Sequence, residues 1–97
     1  MIDKTFFEKV YRIGMHEVEM SEYAVVTMET PVFDDDGIKF VFYSYSHKDN
    51  DEVKRVERVI KFSFEEFMSL SIEEIFERFS VVEDELKEIF YKFLRRM

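Results

Sequence analysis

Apolar positions keep a helical spacing at both ends of this chain and alternate in between. Ile2, Phe6, Val10 and Ile13 recur at intervals of four, four and three residues, which predicts a helix over residues 2–13. Gly14 follows where a left-handed C-terminal cap would end it. From Glu17 to Ser63 the period falls to two. Tyr23 to Val32, Ile38 to Ser46 and Val53 to Phe62 are rich in β-branched and aromatic residues, with turn residues at Asp34-Asp35-Asp36-Gly37 and Lys48-Asp49-Asn50-Asp51. Three antiparallel strands in a meander are expected.

Pairing these strands across their turns, with Phe33 opposite Lys39 and Tyr45 opposite Arg55, converts the alternation into two faces. One collects Ala24, Val26, Met28, Val32, Ile38, Phe40, Phe42, Val56, Ile60 and Phe62, interrupted by Thr30, Ser44 and Arg58. Helices should cover that face. The other carries Tyr23, Val25, Thr27, Glu29, Val41, Tyr43, Tyr45, Arg55, Glu57 and Val59, too aromatic for a purely solvated surface.

Helix starts are signalled by a Ser or Thr followed three residues later by Glu, at Thr5/Glu8, Ser63/Glu66, Ser71/Glu74 and Ser80/Glu83. Ser63 and Ser71 add the flanking apolar pair of a hydrophobic staple, Phe62 with Phe67 and Leu70 with Ile75. Thr5 has no such pair, and Asp3 competes with it as the cap. Ser80 also lacks a staple. An apolar seam of Ile72, Ile75, Phe79, Val82, Leu86, Ile89 and Phe93 runs through it. Glu83, Asp84 and Glu85 would nevertheless suit a new first turn, and Lys92, Arg95 and Arg96 a last one, so a break or kink at Ser80 is expected. The predicted fold is a single α+β domain over residues 1–97: an N-terminal helix, a three-stranded antiparallel meander, and two to three C-terminal helices packed on one sheet face.

Composition fits one packed domain, since the 97 residues are 46% hydrophobic and 18% aromatic. There is no Cys, hence no disulfide, thiolate metal site or Cys nucleophile, which favours a reducing compartment. Neither a signal peptide nor an 18-residue apolar run is read, so a cytoplasmic chain without membrane contact is expected. The absence of Gln and the single Asn50, beside many Glu, Lys and Arg, match the balance of heat-adapted proteins.

Charge narrows the partners. The net value of −8 disfavours direct nucleic-acid binding, which needs clustered bases. Between Arg12 and Lys39 there is no Lys or Arg, while Glu17, Glu19, Glu22, Glu29, Asp34, Asp35 and Asp36 fall there, so a negative surface is expected. His16 and His47 are the two near-neutral titrators, and no nucleophile, base and acid can be assembled around them. Asp34-Asp35-Asp36-Gly37 and His47-Lys48-Asp49-Asn50-Asp51 have the carboxylates to bind a hard cation, yet both read as tight turns. With two glycines the chain holds no phosphate loop, and no cofactor or metal is expected.

The functional expectation is a non-enzymatic protein–protein interaction or regulatory module that self-associates. Its contact would be the face bearing Tyr23, Tyr43, Tyr45, Val41 and Val59, or the C-terminal helix. One alternative is an acidic mimic of nucleic acid that occupies a basic groove on a DNA- or RNA-binding protein. A second is a small-ligand or metal-binding domain.

Overall fold

The computed structural model describes residues 3–21, 25–47 and 53–95. Its elements, in order, are α1 (Lys4–Ser21), β1 (Thr27–Met28), β2 (Val32–Phe33), β3 (Gly37–His47), β4 (Val53–Ser63), α2 (Phe64–Ser69) and α3 (Ile72–Arg95). The fold is α+β, with one antiparallel sheet and helices at both ends of the chain.

Asp3 is the N-cap of α1: its carboxylate accepts from the Phe6 amide at 3.0 Å and its carbonyl from the Phe7 amide at 3.2 Å. The expected box at Thr5 is not the start. Nor does Gly14 end the helix, which continues for almost two further turns. A lone helical glycine costs about 1 kcal/mol relative to alanine, too little to stop a helix whose next residues remain helix-compatible. A Cβ at Gly14 would meet nothing within 4 Å, so no neighbour among the described residues demands glycine there.

β3 is the central strand, with β4 along one edge and β1 and β2 in succession along the other. The β3–β4 register places Tyr45 opposite Arg55, as the alternation predicts. The other edge differs from expectation. Thr27 and Met28 pair with Tyr43 and Phe42, and the Glu29 amide donates to the Val41 carbonyl at 2.9 Å. Val32 and Phe33 then pair with Lys39 and Ile38. Four steps on this edge match three on β3, so one extra residue is absorbed around Thr30 and Pro31, where proline has no amide to donate. The single predicted strand is therefore two short ones, and parity flips between them. Val32, expected in the core, lies on the Lys39 side. Phe33 turns to the helix side instead, its ring 5.8 Å from that of Phe6, but it stays 44% exposed at the edge of the core.

The face bearing Ile38, Phe40, Phe42 and Phe62 is buried under all three helices, which contribute Phe6, Ile13, Phe67, Ile75, Phe79 and Leu86 to one core. Phe79 sits 4.9 Å, centroid to centroid, from both Phe40 and Phe42. Ser44 is also buried on this side.

Ser63 caps α2, accepting from the Glu66 amide at 3.1 Å. Ser71 forms the full reciprocal box: its hydroxyl accepts from the Glu74 amide at 3.1 Å and its amide donates to the Glu74 carboxylate at 3.3 Å. Lys9 ties α1 to the end of α2, where its ammonium donates to the carbonyls of Phe67 and Leu70, groups the short helix leaves without an intrahelical partner. Burial lowers the Lys9 pKa, with Glu74 pulling the other way.

No break occurs at Ser80. Its hydroxyl donates to the Phe76 carbonyl one turn back at 3.0 Å, and α3 is continuous for 24 residues. Ile75, Phe79 and Leu86, on both sides of Ser80, are buried in the same core, so breaking the helix would pull one half of the seam off the sheet. The C-terminal helix thus packs on its own sheet along Ile75 to Leu86.

Candidate interaction surface

With every helix on one side, the other side of the sheet has no covering layer among the described residues. Alternation along β3 and β4 brings Val41, Tyr43, Tyr45 and Val59 together there, with Val41 directly opposite Val59. Val59 is 54% and Tyr45 46% exposed. The rings of Tyr43 and Tyr45 meet edge to face at 5.5 Å. Tyr23, predicted for the same surface, lies outside the described residues.

A charged network crosses this face. Arg55 extends from β4 over the Tyr43 ring, its guanidinium 4.0 Å from the centroid, to reach the Glu29 carboxylate on the far side of β3, and it also pairs with Glu57. Lys61 bonds Asp34 at 3.0 Å at the other end. Exposed ion pairs add little stability, and a cation over an exposed tyrosine about 0.5–1 kcal/mol. Their effect is to fix side-chain directions. Among the described residues three acids, Glu29, Asp34 and Glu57, stand against Lys39, Arg55 and Lys61, a balance of charge on this face although the chain carries −8.

The acids expected to form one negative surface come from α1, from the segment after β1 and from the turn before β3. Glu17 and Glu19 belong to the second half of α1, and Glu22 is outside the described residues. Glu29 and Asp34 are engaged by Arg55 and Lys61. Asp34, Asp35 and Asp36 form the turn into β3, in which the Asp34 carboxylate accepts from the amides of Asp36 and Gly37, both at 2.8 Å. This closes an Asx turn, using the oxygen a cation would otherwise take. His16 lies in α1 and His47 ends β3. Residues 48–52 of the second turn are outside the described residues. Among the described residues no cluster of His, Asp or Glu is arranged to hold a metal, and no helix is long and apolar enough to cross a membrane.

Asp34 gives the surface a measurable pH signature. The Lys61 bond, followed by the Asp36 amide, holds its carboxyl below the ordinary carboxylate value. A depressed pKa in the folded state contributes stability above the unfolded-state value and loses it as pH falls through the folded one. Asp34→Asn is therefore expected to flatten the fall in stability below about pH 4, with little change in shape near neutrality. Urea midpoints of the two proteins across that range would show it; parallel curves would contradict it.

One surface was not anticipated from the pattern. Phe7, Tyr11 and Met15, spaced by four, lie on the outward side of α1, 57%, 68% and 42% exposed. Their spacing is as regular as that of Phe6 and Val10, but the two stripes are offset by one residue and merge into one apolar helix when only the strongest stripe is read. Comparison with family models, curated proteins and solved structures finds no match for this chain.

Proposed function

We propose that this chain is a non-enzymatic interaction module that receives a protein partner on the open face of its sheet, at Val41, Tyr43, Tyr45 and Val59. The observation that carries the reading is the exposure of Tyr45 and Val59 beside an ordered, charge-balanced network on a face that no helix of the described residues covers. Tyrosine offers apolar area and a hydroxyl at low conformational cost, which suits a contact surface. Because the charges cancel, the partner is recognised by apolar fit and aromatic edges, and binding is weakly sensitive to salt.

The test is affinity capture with the wild-type chain beside Tyr45→Lys and Val59→Lys. A protein retained by the wild type in high salt and released by both substitutions is the expected result. Identical captured sets for all three chains would overturn the reading. Salt-sensitive capture lost on Glu17→Gln, Glu19→Gln, Glu22→Gln and Glu29→Gln together would instead favour an acidic mimic of nucleic acid.

A further inference from the structure

We propose that α1 joins two copies of this chain as an antiparallel helix pair whose two-fold axis passes Tyr11. The contact is separate from the open sheet face and leaves that face free.

Phe6 and Ile13 point α1 into the core, and the Lys9 ammonium fixes its roll against α2, so the Phe7, Tyr11 and Met15 stripe is held outward. Lys4, Phe7, Glu8, Tyr11 and Arg12 line an open surface on this side. A contiguous apolar stripe of this kind on a chain otherwise rich in charge marks a contact.

The occupant follows from symmetry and charge. The stripe is centred on Tyr11 with one apolar residue a turn away on each side, so a two-fold rotation places Phe7 against Met15 of the partner subunit and Tyr11 against the partner's Tyr11. At 100° per residue, Glu8 and Arg12 lie on one flank of the stripe, one turn apart. In the antiparallel pair Arg12 then faces the partner's Glu8, and Glu8 the partner's Arg12. Lys9 is engaged by α2, so the charge pairing on this flank is that of Glu8 with Arg12, opposite in sign although each chain is at −8. Helix dipoles also oppose in this arrangement. Gly14, two turns on from Phe7 and about 20° from it around the helix, borders the stripe. Among the described residues nothing lies within 4 Å of a Cβ built there, and a second helix can approach closely past it.

Sedimentation of the full chain over a concentration series tests this, with circular dichroism as the check on folding. The wild type is expected to dimerise in the range of about 1–100 µM, as a single helix-pair contact of modest area would. Tyr11→Lys, at an exposed position and facing its own copy, should be a folded monomer throughout. Glu8→Lys and Arg12→Glu should each weaken the dimer by roughly tenfold, and the double swap should restore it. Tyr45→Lys should leave the dimer intact. A strictly monomeric wild type would overturn the proposal. So would a dimer that survives Tyr11→Lys, which leaves the sheet-face reading untouched, or one that Tyr45→Lys dissolves, which would place self-association on the sheet face instead.

Discussion

Phe40→Ala is expected to destabilise the fold by about 3–5 kcal/mol, the range for emptying a fully buried aromatic site. Phe40 has no exposed surface, and its ring lies between those of Phe62 at 5.9 Å, Phe67 at 6.1 Å and Phe79 at 4.9 Å. These neighbours come from β4, α2 and α3, so no single element can move in to fill the space without leaving another. The loss therefore includes both the transfer of the ring and most of its cavity. Against a total of about 5–15 kcal/mol for a domain, the variant would stand close to unfolding at ambient temperature. Urea or guanidinium unfolding monitored by circular dichroism measures it. A loss under about 1.5 kcal/mol would mean the core collapses around the site and is looser than its packing implies.

Gly37→Ala is the second large effect, at about 3 kcal/mol, and it acts through the backbone. A Cβ on Gly37 would stand 1.9 Å from the Phe62 carbonyl oxygen, 2.9 Å from its carbonyl carbon and 3.0 Å from the Ser63 Cα. All three atoms belong to the backbone of β4, so no rotamer change relieves the clash. The strands must separate where Gly37 pairs with Ser63, and Ser63 is also the cap of α2. The same displacement strains the Asp34 bond to the Gly37 amide. The expected signature is a lowered denaturation midpoint, with Gly37→Ser at least as damaging because the added atoms meet the same backbone. A midpoint unchanged by Gly37→Ala would show that this end of the sheet opens freely.

Features set by local chemistry were readable from the residues. Ser63 and Ser71 cap helices because the hydroxyl, the Glu and the staple all lie within a few positions of one another. The Tyr45–Arg55 register and the burial of Phe40, Phe42 and Phe62 followed from strict alternation on either side of one turn. What escaped depends on balances that the local pattern does not contain. One extra residue near Pro31 exchanges Val32 for Phe33, and alternation is blind to it because each short piece still alternates. At Ser80 the hydroxyl has two uses, capping an amide ahead or bonding the carbonyl behind, and the packing of Ile75 and Leu86 on one sheet decides between them. Gly14 ends a helix only if the chain beyond it leaves, and here it does not.

The candidate surface divides in the same way. Val41, Tyr43, Tyr45 and Val59 share a face by parity alone, so their grouping was legible. The bridge from Arg55 across Tyr43 to Glu29 was not, because it needs the far edge of the sheet in its true register. That bridge turns a face with several charges into a balanced one.

Among the described residues every strand pairing is made with β3: β1, β2 and β4 each bond to it and none bonds to another. The sheet is therefore a hub with spokes, in which an edge can detach while the rest persists but the hub cannot open alone. Fraying of β1 or β2 leaves the β3–β4 hairpin under its helices as a cooperative unit, whereas opening of β3 is equivalent to global unfolding. Local breathing is thereby confined to the rim carrying Glu29, and the aromatic strand at the centre of the open face stays ordered for as long as the protein is folded.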